Sequence, residues 1–183
     1  MSLSEALIRR LKVDNNLDAP DVQALEQLPI KLREMPAQAS IVNQGDRPSH
    51  CCLVIEGFVC RSLTKPDGKR QILAVHIAGD IPDLQSLYLH VLDHDIWTAS
   101  PAKVGFIAHA SLIPIIRSRP TIAAALWRET LIDAAIFREA ITNNSSRPPR
   151  TRMAHLFCEL YYRARSAGLE KAGTLHLPAP ARL

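Results

Sequence analysis

The sequence predicts an α+β protein. An antiparallel β-roll (a double-stranded β-helix, or jelly roll) is flanked by N-terminal helices and followed by a long C-terminal dimerisation helix. Three observations carry that prediction. Between Asn43 and Ile107 short apolar runs alternate with turn signals, punctuated by Gly45, Gly57, Gly68, Gly79 and Gly105, the pattern of short antiparallel strands that roll or close. On either side of that stretch the apolar residues recur at helical rather than strand spacing. The segment from Pro120 to Asn143 is apolar almost all round, so as a helix it needs cover on more than one side.

The elements follow in order. Ser4 to Lys12 places Leu7, Ile8 and Leu11 on one face, with Leu3 just before it, and offers Ser4 as an N-cap. A second helix starts at Asp18 or Ala19, where Pro20 suits the first turn, and ends at Pro29. Ile30 to Met35 alternates apolar and charged residues, as a half-buried strand does. Strands are expected at Ile41-Val42, Cys52 to Glu56, Phe58 to Thr64, Arg70 to Ile77, Trp97 to Ser100 and Lys103 to Ile107. Lys65-Pro66-Asp67-Gly68 is a hairpin turn, with Pro preset at its second position and Gly free to take positive φ. Pro82 to Leu92 is irregular, with one helical turn at Leu84 to Leu89. Ala110 to Ser118 is a short helix with Ser111 as its cap. The long helix runs to about Asn143, and an Asn-Ser and Pro148-Pro149 break separates it from an amphipathic helix, Thr151 to Ala167, stopped by Gly168. Gly173 to Leu177 reads as the start of a strand.

The long helix needs a partner beyond the roll, and a second copy of the same helix is the economical choice. Its expected seam is Leu126, Thr130, Asp133 and Phe137, the two polar residues setting the register.

Composition narrows the class. The chain is 47% apolar and 22% charged, ordinary for a globular protein. No stretch is long and apolar enough to span a membrane, and the N-terminus lacks a basic start followed by an apolar run. A cytoplasmic location is the expectation. Of Cys51, Cys52, Cys60 and Cys158, no pair has CxxC spacing. Adjacent Cys51 and Cys52 point to opposite faces of a strand, so they do not share a metal. Buried thiols are the expectation; a redox role would fall to Cys51 or Cys60. Charge is uneven: from Ser146 onward seven basic residues face only Glu159 and Glu170. A basic tail on a near-neutral body points towards nucleic acid.

Catalytic signatures are absent: no GxSxG, phosphate-binding P-loop, HExxH or paired CxxC motif occurs. No catalytic residue, metal ligand or cofactor is assigned. The competing enzyme reading is a metal-dependent cupin-like roll using His50, Glu56 and His76. Asp80, Asp83, Asp93 and Asp95 cluster around the irregular loop, and loop acids of this kind most commonly cap turns.

Several stretches occur together in order: Gly45 to His50 (GDRPSH), Leu53 to Gly57 (LVIEG), Pro66 to Leu73 (PDGKRQIL), Gly79-Asp80, and Arg152 to Leu160 (RMAHLFCEL). With the two-helix entry and the long helix, this resembles the Crp/Fnr family of bacterial transcription regulators over residues 5 to 178. The resemblance implies a cyclic-nucleotide-binding-like roll over residues 30–110 after N-terminal helices over 1–29. It also implies a short and a long dimerisation helix over 111–145, and over 146–183 the incomplete start of a winged helix-turn-helix domain.

Two departures shape the expected function. Cyclic-AMP-binding members carry Gly-Glu in the phosphate-binding cassette and a later Arg. Here the cassette reads Gly79-Asp80-Ile81-Pro82-Asp83-Leu84-Gln85-Ser86-Leu87, with Asp83 and Leu84 at the Gly-Glu positions and no Arg or Lys between Arg70 and Lys103. Phe137 and Arg138 stand where the family's helix would face the purine. The implied pocket (Gly79, Asp80, Asp83, Leu84, Gln85, Ser86, His94, Phe137 and Arg138) is therefore degenerate, or adapted to another small-molecule effector. Anything it senses would be read by Asp83, Gln85, Ser86, His94 and Phe137. Second, the family's recognition helix has no counterpart before Leu183, as a truncation or a frameshift would leave it. DNA recognition then belongs to a full-length form, and here Arg147, Arg150, Arg152, Arg163 and Arg165 offer phosphate contacts without sequence choice. The expected protein is a non-enzymatic, homodimeric sensor and dimerisation region. An alternative is an interaction module that heterodimerises with full-length homologues.

Overall fold

A computed structural model describes residues 3–13, 15–170 and 173–174. Two short helices enter first, α1 (Glu5–Lys12) and α2 (Ala19–Glu26). Asp18 and Asp21 cap α2 reciprocally: the Asp21 N–H donates to Asp18 Oδ1 at 2.7 Å and the Asp18 N–H to Asp21 Oδ2 at 3.3 Å, which satisfies two donors the helix leaves open.

Seven strands follow: β1 (Ile30–Met35), β2 (Ser40–Val42), β3 (His50–Glu56), β4 (Val59–Thr64), β5 (Arg70–His76), β6 (Asp95–Thr98) and β7 (Ala102–Ala108). They form two antiparallel sheets, β1-β7-β3 and β2-β6-β4-β5. Apart from the β4-β5 hairpin, neighbours in each sheet are distant in sequence, the mark of a roll rather than a meander. A 3-10 turn at Leu84–Leu87 lies between β5 and β6. Three helices close the described fold: α3 (His109–Ser118), α4 (Pro120–Ser146) and α5 (Pro149–Ser166).

The alternation of β3 divides the core. Cys51 and Leu53 pack with Leu7, Leu11, Leu25, Leu112, Ile122 and Leu126 of the helices. Cys52 and Val54 pack between the sheets with Val59, Ile96 and Val104. The two adjacent cysteines thus serve opposite faces, as strand geometry requires. Gly57 ends β3 at φ +88°, and a Cβ there would lie 2.5 Å from the Pro101 carbonyl oxygen, so only glycine fits.

Four local expectations are corrected. β1 is an edge strand with its four central residues exposed, Leu32 at 43%, so its alternation marks an edge and not a half-buried position. The α3 cap is Ala108 rather than Ser111, because β7 runs without a break into a helix that begins at His109. The long helix continues past Asn143 to Ser146, and the last helix begins at Pro149 rather than Thr151. Proline needs no N–H in a first turn, so Pro149 starts the helix. Of the strand expected at Gly173 to Leu177, residues 175–177 lie outside the described residues.

Candidate functional site

The loop from Gly79 to Leu87 is built to sit still. Gly79 adopts φ +98°, and a Cβ on it would lie 2.9 Å from the Ala6 carbonyl oxygen and 2.9 Å from Arg10 Cβ. α1 therefore rests directly on the loop's backbone. β3 grips the same turn: the Gly79 N–H donates to the Val54 carbonyl at 2.8 Å, and the Val54 N–H to the Asp80 carbonyl at 3.0 Å.

Between this loop, α1, β4 and α4 lies a cavity of about 50 Å³. Three arginines converge on it from three elements, each facing acids of the chain itself. Arg10 of α1 meets Glu129 of α4 at 2.8 Å and Asp80 at 3.7 Å. Arg61 of β4 meets Asp133 of α4 at 2.7 Å and donates to the Pro82 carbonyl. Arg163 of α5 pairs with Asp80, and with Glu159 at 3.1 Å. Asp80 also faces His76 at 3.6 Å and accepts the Ile77 N–H at 3.0 Å.

The titration directions follow from these partners. Burial pushes Asp80 upward, but the Arg163, His76 and Arg10 charges outweigh it and hold the carboxyl well below the usual range. Burial raises Glu129 despite Arg10. Burial lowers His76, with Arg61 and Arg163 adding to the effect against the pull of Asp80.

Of the residues expected to form the pocket, Gly79, Asp80, Leu84 and Gln85 line this cavity. Asp83, Ser86, His94, Phe137 and Arg138 do not. Asp83 turns away into the roll, fully buried, where its Oδ1 accepts the Cys52 N–H at 2.8 Å; burial raises its carboxyl to about 7. Ser86 Oγ lies 3.0 Å from His109 Nε2, which ties the 3-10 turn to the start of α3. His94 sits between Asp93 at 2.6 Å and Gln85 at 3.3 Å. Phe137 is half-buried and Arg138 exposed.

The stretch between Arg70 and Lys103 holds no Arg or Lys, yet cations line the cavity. They come from Arg10, Arg61 and Arg163, outside the window between Arg70 and Lys103. A paired i,i+4 acid, Glu159 for Arg163, was the one local hint that Arg163 is engaged rather than free. Arg163 is thereby withdrawn from the expected phosphate contacts. Of the others, Arg150 and Arg165 are exposed, Arg147 pairs with Glu139 at 3.0 Å, and Arg152 reaches Asn144 at 3.5 Å.

Of the residues expected along the α4 seam, three face the interior of the single chain. Leu126 is 4% exposed and belongs to the helical core, while Thr130 and Asp133 line the cavity. The outward stripe is instead Ala124, Trp127, Leu131, Ala134, Arg138 and Ile141, with Trp127 66%, Leu131 50% and Ile141 60% exposed. Its steps of three and four residues match a coiled-coil seam.

Cys51, Cys52 and Cys60 are buried and Cys158 is exposed. Burial raises all three buried thiols, Cys60 to about 11, and a thiol that stays protonated is a poor redox nucleophile. The cupin-like set does not converge: His50 and Glu56 stand at opposite ends of β3, and His76 is buried against Asp80.

A roll closed by a glycine-anchored loop and a long helix defines a class. Residues 32–119 match the family model described as the cyclic nucleotide-binding domain. Beyond those residues, the fold is similar to that of several solved bacterial regulators. FixK2 from Bradyrhizobium japonicum superposes with a TM-score of 0.68 at 19% identity, over 74% of this chain and 68% of that one. The c-di-GMP-responsive global regulator CLP of Xanthomonas campestris gives 0.66 at 14%, over 88% and 77%. The catabolite activator protein of Thermus thermophilus gives 0.56 at 21%, over 88% and 82%. No curated protein sequence matches the chain.

Proposed function

We propose that this chain is the sensor and dimerisation region of a Crp/Fnr-type transcription regulator whose cyclic-nucleotide pocket is degenerate. The observation that carries the reading is the two-faced character of α4. One face closes the cavity with Leu126, Glu129, Thr130, Ile132, Asp133 and Ile136. The other leaves Trp127, Leu131 and Ile141 in solvent. A helix that touches both a sensor cavity and a partner is positioned to transmit a change in the one to the other. The degenerate-pocket reading draws on the ion pairs that occupy the cavity and on Leu84 at its wall, where cyclic-AMP-binding relatives offer a glutamate.

The division into N-terminal helices (1–29), roll (30–110), helices (111–145) and the beginning of a DNA-binding part (146–183) belongs to this reading. So does a non-enzymatic, cytoplasmic role; among the described residues no helix is long and apolar enough to cross a membrane. Arg147, Arg150, Arg152 and Arg165 suit phosphate contact without base choice. The test is sedimentation velocity on wild type and Leu131→Glu at tens of micromolar protein. The reading expects a dimer for the first and a monomer for the second. A monomeric wild type, or a Leu131→Glu dimer, overturns the α4 seam.

A further inference from the structure

α5 is held to the rest of the protein by little apolar surface. Of its 18 residues only Leu160 and Ala164 are buried, against a patch of Ile77, Phe58, Val75 and Leu169. Met153, Phe157 and Tyr162 are 55%, 49% and 65% exposed. Arg152 and His155 of α5 reach Asn144 and Glu139 of α4, but the polar attachment to the roll runs through one side chain. Arg163 donates from Nη1 to the Val75 carbonyl at 2.9 Å and to Glu159 at 3.1 Å, and from Nη2 to Asp80. Its Nε is buried without a partner.

Asp80 is the hub on the other side. Its backbone is fixed by Val54 and Ile77, while its carboxylate lies between Arg10 of α1 and Arg163 of α5, with His76 beside it. Two guanidinium groups straddling one buried carboxylate form an anion site occupied by the chain's own side chain.

We propose that Arg163 is a latch: α5 stays docked on the roll only while the Asp80 carboxylate holds Arg163. The charged groups facing this pair are Arg10, Arg61, His76, Glu129, Asp133 and Glu159. The guanidinium groups keep Asp80 ionised through the neutral range, so protonation does not open the latch. Competition opens it: an anion entering the cavity, or a shift of α4 that moves Glu129 off Arg10, redistributes the two arginines and frees α5. The consequence for DNA rests on reading α5 as the start of the DNA-binding part; the latch itself does not.

Hydrogen exchange on the full chain tests it without DNA or effector. Arg163→Met keeps the aliphatic stem and removes the charge. The α5 amides from Met153 to Ala167 are expected to exchange about tenfold faster or more, while β3, β4 and β7 stay within about twofold of wild type. Unchanged α5 protection overturns the proposal, and so does an equal loss in roll and helix, which makes Arg163 an ordinary part of the core. Asp80→Asn retains an acceptor for the Ile77 N–H and is expected to free α5 as well; protected α5 in that variant also overturns the latch. Failure here leaves the sedimentation test of the α4 seam untouched.

Discussion

Asp83 gives the sharpest stability prediction. The side chain is fully buried, its Oδ1 accepts the Cys52 N–H at 2.8 Å and its Oδ2 has no hydrogen-bond partner. Burial raises its carboxyl from 3.8 to about 7. A raised acid favours the folded state fully below its unfolded value near 3.8, and that advantage is lost as pH rises through about 7. Asn at this position keeps the acceptor for Cys52 and cannot ionise. Asp83→Asn should therefore stabilise the protein more at high pH than at low. At about 1.36 kcal/mol per pKa unit, the difference between variant and wild type should grow by roughly 2–3 kcal/mol from pH 5 to pH 8. Other titrating groups are common to both proteins and cancel. Urea unfolding at pH 5, 6, 7 and 8 measures it. A difference independent of pH, or a variant weaker than wild type at pH 8, refutes the burial argument.

The remaining predictions follow from packing and backbone. Gly79→Ala should lower stability by about 2 kcal/mol or more, measured by urea unfolding, since it forces a side chain into φ +98° and against α1; an unchanged midpoint would show that α1 does not rest on the loop. Leu53→Ala, at a fully buried position in the helix-facing core, should cost about 2–5 kcal/mol in the same assay. Cys158 is exposed while the other three cysteines are buried, so a thiol reagent should label one cysteine rapidly in the native protein and four after denaturation. Rapid native labelling of a second would refute the burial of β3 or β4.

Most of the roll was legible in the sequence because its signals are local. Glycine punctuation, the Lys65 to Gly68 turn and the alternation of Cys51 and Cys52 each depend on a few neighbouring residues. The misreadings share a different origin. α4 is apolar on nearly every side, so its composition gives no phase for a seam. The outward stripe at Trp127, Leu131 and Ile141 is set by the roll's position, which no helical periodicity encodes. The cavity's counter-charges are hidden in the sequence for a similar reason. Arg10, Arg61 and Arg163 lie far apart in sequence, and only the closed roll brings them to one cavity. Formal charge also cannot separate a half-buried Arg163 from an exposed Arg165 two residues on.

The central claim is that the cavity between the Gly79 to Leu87 loop and α4 is occupied by the protein's own ion pairs and does not take a cyclic nucleotide. Titration calorimetry of cyclic AMP into the wild-type protein tests it most directly, with the melting temperature followed in the same mixtures, since a ligand that binds only the folded state must raise it. The account predicts no binding heat and no melting shift. Saturable heat with a dissociation constant near micromolar, accompanied by a rise in melting temperature, would contradict it.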